Sequence, residues 1–217
     1  MNNKTLFIAA AACFAIAFVG GVAVYKNQQT PSLNQEAKTA LTREGAPVKG
    51  SKDAKVTIVE FFDPACGTCR QFYPLVNNIV QKYRGKVKLV KRYAPLHQGS
   101  PEVVKMIEAA HLQGKFWPVV ERLYSNQHRW VEHHVANPQQ AMLGIKPLLV
   151  DQEKFMRDWQ SSEVAQIIAQ DIHDGKVLKV RATPQFFVNG KPLTEFGHQQ
   201  LLDLVDEAIA KAYAPKS

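Results

Sequence analysis

Two cysteines separated by two residues constrain this 217-residue chain more than any other feature of its sequence. They lie in the stretch EFFDPACGTCRQFYP, residues 60–74, directly after a hydrophobic run. A pair at this spacing is half of a zinc site, a short structural disulfide or a reactive dithiol. The elements that flank the pair decide among these three.

The residues around the pair predict a strand, a helix and a second strand. The run VTIVEFF, residues 56–62, has the β-branched and aromatic content of a buried strand, and an Asp-Pro pair ends it. A helix is expected to begin near Cys66 and to continue towards Tyr83. The run VKLVKRY, residues 87–93, is the next predicted strand. The cysteines are therefore expected in the first turn of the intervening helix.

The rest of the chain predicts a block of short helices, a hairpin and a final helix. Apolar residues recur at helical spacing through residues 100–175. The stretch PQFFVNGKPLT, residues 184–194, contains Asn189-Gly190, the preferred chemistry for a two-residue hairpin turn. The order strand, helix, strand, helical block, hairpin and helix predicts an α/β fold.

Charge and composition argue against nucleic acid as the partner. Lys and Arg number 27 against 19 Asp and Glu, a formal net charge of +8, and 46% hydrophobic residues are typical of a globular protein. In the densest basic stretch, residues 82–92, lysines such as Lys91 alternate with apolar residues, which predicts a strand with one solvent face. No nucleic-acid recognition motif accompanies the charge.

The N-terminal residues predict export of the domain. Leu6 to Tyr25 carry no charge, and 20 helical residues span about 30 Å, the thickness of a bilayer core. We expect a membrane anchor over residues 1–25, with a signal peptide cleaved after Ala23 as the alternative. Residues 26–47 are predicted to form a polar tether. The third cysteine, Cys13, is expected to be only a small hydrophobic residue of the apolar run.

The reactive dithiol explains the cysteine pair best. No second CxxC is present, and His128, His133 and His134 lack zinc-finger spacing. A disulfide that closes so short a loop removes little entropy from the unfolded chain. At a helix start, unpaired backbone N–H groups and the helix dipole favour a thiolate at Cys66. We therefore expect Cys66 to be the exposed nucleophile and Cys69, one turn inward, to resolve the mixed disulfide.

Glu60 is predicted on the same strand face as Val56, Ile58 and Phe62. An unpaired buried carboxylate is costly, and such a group shifts its pKa or holds a functional proton. One interpretation is that Glu60 relays the proton of Cys69. The other is an acid on the strand face that reaches solvent.

Taken together, four features resemble the thioredoxin superfamily: the CGTC pair after a strand, Glu60 six residues before Cys66, Pro74 eight residues after it, and the stretch ATPQFFVNG. The large helical block is similar to that of the DsbA-type disulfide oxidoreductases of the bacterial envelope. The resemblance covers about Val48 to Tyr213. It implies a thioredoxin fold over residues 48–214 with a helical subdomain inserted at about residues 100–176.

The resemblance also assigns roles to single residues. Pro184 matches the family's cis-proline, which lies against the CxxC pair, and Thr183 matches the preceding residue, whose backbone pairs with the bound peptide. Glu60 matches the family's buried acid. However, Gly67-Thr68 is neither the Pro-His of the strong oxidases nor the Gly-Pro of thioredoxin, and Thr183 is closer to the isomerase branch.

These features predict a thiol-disulfide oxidoreductase that donates disulfides to exported proteins and uses neither metal nor organic cofactor. The alternatives are a reductase or isomerase that uses the same cysteines, and a tethered binding module or chaperone without turnover. The expected location is the bacterial inner membrane with the domain in the periplasm, or the periplasm alone after signal cleavage. A membrane protein that resets the dithiol is the expected redox partner. A monomer is expected, since residues 26–50 are too short for a dimerisation domain.

Overall fold

The computed structural model describes residues 35–215, and its central feature is a five-stranded mixed sheet. The predicted anchor over residues 1–25, Cys13 and residues 26–34 lie outside the described residues. The sheet strands are β1 (Val48–Gly50), β2 (Val56–Phe62), β3 (Val87–Tyr93), β6 (Gln185–Val188) and β7 (Lys191–Pro192), and a separate two-stranded ribbon pairs β4 (Val131–Glu132) with β5 (Val135–Ala136).

Helices cover the sheet and form the block between its two halves. They are α1 (Gln35–Leu41), α2 (Gly67–Lys82), α3 (Ser100–His111), α4 (Phe116–Ser125), α5 (Pro138–Ile145), α6 (Gln152–Trp159), α7 (Ser162–Val177) and α8 (His198–Ala212), with short 3-10 turns at Gln127–Arg129 and Lys146–Leu148. None of the helices within residues 35–215 has the length and apolar content needed to cross a bilayer.

Strand β2 lies at the centre of the sheet, whose order is β1-β3-β2-β6-β7. It runs parallel to β3 and antiparallel to β6. Most of its residues are buried, Ile58 and Phe61 completely, which is why it reads as a nearly continuous hydrophobic run. The chain leaves β2, makes the turn that holds the cysteines and enters α2, as the sequence predicts.

The predicted hairpin at Asn189-Gly190 is confirmed. Both residues have positive φ, 46° and 85°, as a type I′ turn requires. The Asn189 side chain also accepts a hydrogen bond from the Thr57 N–H at 2.8 Å. This turn aligns β6 against β2, so the Thr183–Pro184 segment that precedes β6 is held near the end of β2.

The predicted polar tether is wrong for its C-terminal part. Helix α1 buries Ala37, Ala40 and Leu41, and its contacts are with α7. Arg43, directly after it, binds Asp174 of α7 with two hydrogen bonds, of 2.6 and 2.7 Å. The apolar face of α1 is too short to give a helical signal by itself, and its partners lie more than a hundred residues away.

The predicted solvent face of β3 is also wrong. Lys91 and its neighbour Arg92 are both fully buried. Arg92 donates hydrogen bonds to Asp171 and Asp174 of α7, and Lys91 pairs with Glu60. Alternation of lysine with apolar residues predicts a solvent-exposed strand face only when no buried acid can pair with the cation. Here α7 and β2 supply such buried acids.

Candidate active site

Cys66 occupies the N-cap position of α2, so its sulfur faces the free N–H groups of the first helical turn. The cap has extended backbone angles (φ −72°, ψ 120°), and Sγ accepts a hydrogen bond from the Cys69 N–H at 3.4 Å. Both cysteines are free thiols. Cys69 has no exposed surface and Cys66 has 6%, so Cys66 is the outer sulfur, although it lies deeper than the exposed nucleophile that the sequence predicts.

The pKa of Cys66 is lowered from its ordinary value to about 5. The largest cause is the hydrogen bond with the Cys69 side chain, and smaller contributions come from the backbone N–H groups of Cys69 and Thr68 and from Thr183. Burial opposes these effects but does not cancel them. At pH 7 a thiol with a pKa of about 5 is ionised about 100 to 1.

The pKa of Cys69 is raised well above its ordinary value. Burial is the largest cause, followed by the hydrogen bond to Cys66 and by the negative charges of Cys66 and Glu60. The two sulfurs of one CxxC motif therefore have opposite proton affinities, and the outer one carries the charge.

Thr183 and Pro184 lie directly beside Cys66, where the sequence resemblance places them. The bond between them is a cis peptide. Sγ of Cys66 and the Thr183 carbonyl oxygen are 3.2 Å apart, and Cys66 donates to that oxygen when it is in its thiol form. The Thr183 backbone is thus adjacent to the reactive sulfur.

Glu60 is fully buried on β2, which excludes the interpretation that it reaches solvent. Its Oε2 lies 2.7 Å from Nζ of Lys91, its register partner on β3, and both side chains have 0% exposure. Burial raises the pKa of Glu60, and the positive charge of Lys91 opposes that rise. The negative charge of Glu60 also contributes to the raised pKa of the inner thiol, Cys69.

Asp63 holds the turn before Cys66, and both oxygens of its carboxylate accept hydrogen bonds. Its oxygens accept hydrogen bonds from the backbone N–H groups of Leu96 and His97, at 2.7 and 2.8 Å, and from the Ser100 hydroxyl. The Asp63 carbonyl accepts from the Cys66 N–H at 3.1 Å. Asp63 thereby ties the cysteine turn to the loop between β3 and α3.

Sequence reasoning missed Gln127, a residue of the 3-10 turn after α4. Its buried amide donates to the carbonyl oxygens of Pro64 and Cys66, at 2.9 and 3.1 Å. This pair of hydrogen bonds fixes the helical block to the cysteine turn. No local pattern marks a glutamine for such a role, because its partners are backbone atoms more than sixty residues earlier.

The histidines considered for zinc are not assembled into a metal site. His133 and His134 form the turn of the β4–β5 ribbon, with positive φ. Within residues 35–215 no group of three or more His, Cys, Asp or Glu side chains is arranged to hold a metal ion.

A family model described as thioredoxin matches residues 42–207, most of the chain. The chain belongs to the thioredoxin family. The match includes both cysteines, the cis-proline loop and the helical block, and thus confirms the fold inferred from the sequence. This thioredoxin-family chain adds α1 before the matched region.

Solved structures of similar proteins agree with this membership. A thioredoxin-like oxidoreductase from Silicibacter pomeroyi DSS-3 is 29% identical, with a TM-score of 0.68 over 81% of this chain and 98% of that one. The α-DsbA1 protein of Wolbachia pipientis is 16% identical, with a TM-score of 0.71 over 82% of this chain and 98% of that one. The predictions of a DsbA-type member and of its enzyme class, a thiol-disulfide oxidoreductase, are confirmed.

Similarity also extends to part of a longer kind of protein. The Na(+)/H(+) antiporter NhaA of Herminiimonas arsenicoxydans is 30% identical over 166 residues, which are 76% of this chain and 26% of the antiporter. This chain thus spans about a quarter of the length of that relative.

Proposed function

We propose that this chain donates disulfides to exported proteins through the Cys66–Cys69 pair. The observation that carries the proposal is the opposite shift of the two thiols, with the pKa of Cys66 lowered to about 5 and that of Cys69 raised. A stabilised thiolate in the reduced protein favours reduction of its disulfide, because the free energy of the reduced form falls. A couple of this kind oxidises other thiols.

The proposed reaction proceeds in two exchanges. A substrate thiolate attacks Sγ of Cys66, the Cys66–Cys69 bond breaks, and its electron pair goes to Cys69, which takes up a proton. A second substrate thiolate then attacks the substrate sulfur of the mixed disulfide, and Cys66 leaves as a thiolate. The substrate loses two electrons and gains a disulfide, while the enzyme becomes a dithiol.

Four predicted site residues, Cys66, Cys69, Glu60 and Thr183, have a part in this proposal. Cys66 is the sulfur that the substrate attacks and then the leaving group, and its lowered pKa makes it a good leaving group. Glu60, whose negative charge contributes to the raised pKa of the inner thiol, is the proposed source of the proton for Cys69. The Thr183 backbone, beside Cys66 at 3.2 Å, is the proposed site where an extended substrate segment pairs, which makes recognition broad in sequence.

The proposed location is the outer face of the bacterial inner membrane or the periplasm. The uncharged run from Leu6 to Tyr25 and the bacterial-envelope resemblance support it, and disulfides persist in that compartment. After each donation the dithiol must lose two electrons. We propose that a membrane redox protein accepts them.

The equilibrium of the Cys66–Cys69 couple with glutathione tests the direction of electron flow. The full-length protein with Cys13→Ala is incubated in buffers of graded glutathione potential, and its two remaining thiols are counted by mass after alkylation. We expect the couple to be mostly reduced at about −200 mV, because strong oxidants of this chemistry lie near −120 mV. A couple that stays oxidised until about −270 mV, the thioredoxin value, would instead indicate a reductase.

A further inference from the structure

The hydroxyl of Tyr124, on α4, is a buried donor that no hydrogen-bond partner satisfies within residues 35–215. The residue is 3% exposed, and its ring packs against that of Tyr73 with the centroids 5.2 Å apart. Burying a hydroxyl without a partner costs free energy, and such a group in a folded protein calls for a functional explanation.

The end of α4, which carries Tyr124, lies close to the cysteine turn. Gln127, three residues after Tyr124, donates to the Cys66 carbonyl oxygen at 3.1 Å. Tyr124 itself belongs to the buried cluster that contains both Cys66 and Cys69. The end of α4 is therefore attached to the turn by Gln127, with Tyr124 packed in the same core as the two sulfurs.

The surroundings of the hydroxyl are charged. Glu60 and Lys91 form a buried ion pair, with Oε2 and Nζ 2.7 Å apart. The pKa of Tyr124 is raised well above its ordinary value, first by burial and then by the negative charges of Cys69, Glu60, Cys66 and Asp63. The phenol therefore keeps its proton and stays a hydrogen-bond donor.

We propose that the Tyr124 hydroxyl donates a hydrogen bond to the Cys69 sulfur when that sulfur leaves as a thiolate. This inference rests on the proposed disulfide exchange. As the substrate thiolate bonds to Cys66 and the Cys66–Cys69 bond breaks, the electron pair arrives on a sulfur with no exposed surface. The Tyr124 hydroxyl has no hydrogen-bond partner among residues 35–215 while both thiols are free, and it belongs to the same buried cluster as Cys69. By turning to the leaving sulfur it stabilises the charge before a proton reaches it. Tyr124 keeps its own proton throughout.

The Tyr124→Phe variant removes the donor and leaves the ring packing in place. The oxidised full-length proteins are mixed with excess reduced glutathione, and the loss of the Cys66–Cys69 disulfide is followed in a stopped-flow instrument. We expect the variant to react about 10- to 100-fold more slowly, since one hydrogen bond to a charged group contributes on that scale. Its stability is expected to equal or exceed that of the wild type, because an unsatisfied hydroxyl is lost.

Tyr93→Phe is the matched control. Tyr93 lies in the same buried cluster, but its hydroxyl donates to Glu108 Oε2 at 2.8 Å. Its removal is expected to lower stability and leave the rate of disulfide reduction unchanged. A fluorinated tyrosine at position 124 keeps the hydroxyl and nearly the same shape but is a stronger hydrogen-bond donor. We expect it to raise the rate of disulfide reduction, which provides a second test.

The outcomes separate this inference from the proposed function. If the wild type and Tyr124→Phe are reduced at equal rates, the inference is overturned and disulfide exchange stands. If glutathione does not reduce the wild-type disulfide at all, both fail. An equal slowing in Tyr124→Phe and Tyr93→Phe would show a general packing effect and would also overturn the inference.

Discussion

Replacement of Cys69 by serine is expected to make the protein accumulate mixed disulfides at Cys66. Cys66 still accepts the hydrogen bond of the residue 69 backbone N–H at the start of α2 and remains the reactive thiol, but the neighbouring thiol that resolves the adduct is gone. An external thiol at millimolar concentration replaces a group held beside the bond, so resolution should slow by at least about a thousandfold. Incubation with a disulfide-bonded peptide and mass spectrometry of the unreduced products measure the adduct.

Cys66→Ser is the matched control for this experiment. It keeps Cys69, which has no exposed surface and a raised pKa, and it should form no adduct and show no disulfide exchange. A tethered binding module without turnover would bind the peptide equally in all three proteins. Adducts on Cys66→Ser, or equal adducts on Cys69→Ser and the wild type, would contradict the assigned roles.

Lys91→Met is expected to lower the free energy of unfolding by about 3–5 kcal/mol at pH 7, because it leaves a buried carboxylate unpaired. Oε2 of Glu60 and Nζ of Lys91 are 2.7 Å apart, and neither side chain has exposed surface. Lys88→Met is the control on the same strand. The Lys88 ammonium is exposed, donating only to the Lys52 carbonyl at 2.9 Å, and its loss should cost less than about 0.5 kcal/mol.

The pH dependence of the Lys91→Met effect follows from the direction of the Glu60 shift. A carboxyl whose folded pKa lies above its unfolded value costs stability at high pH and none below the unfolded pKa. Without Lys91 the pKa of Glu60 in the folded protein rises further. The decrease in the free energy of unfolding caused by Lys91→Met should therefore grow as the pH rises above about 4.5. Urea unfolding at pH 5 and 7 measures it. The double variant Glu60→Gln, Lys91→Met should recover most of the loss, and an equally unstable double variant would contradict this explanation.

The elements that hold the cysteines could be predicted from the sequence because their signals are local. The hydrophobic run of β2, the breakers after it and the Asn189-Gly190 turn each depend on adjacent residues. The position of Cys66 at the start of α2 followed from the same local pattern. Residue roles at Thr183 and Pro184 came from the family resemblance, and the structure places both beside Cys66.

The features that the sequence did not predict depend on partners far along the chain. Lys91 and Arg92 look like solvent-facing residues until Glu60, Asp171 and Asp174 are brought to them. Helix α1 has its packing surface on α7. Gln127 binds two backbone carbonyls of the cysteine turn. In each case the neighbouring residues alone do not predict burial, because burial depends on a tertiary contact with a distant part of the chain.

The pH dependence of Cys66 alkylation tests the central claim most directly, that the N-cap position of α2 holds this sulfur as an anion. The rate of reaction with iodoacetamide is measured from pH 3.5 to 9 on the reduced full-length protein with Cys13→Ala. A midpoint near pH 5 is expected, set by the lowered pKa of Cys66. A midpoint near 8.5, the value of free cysteine, would contradict the account.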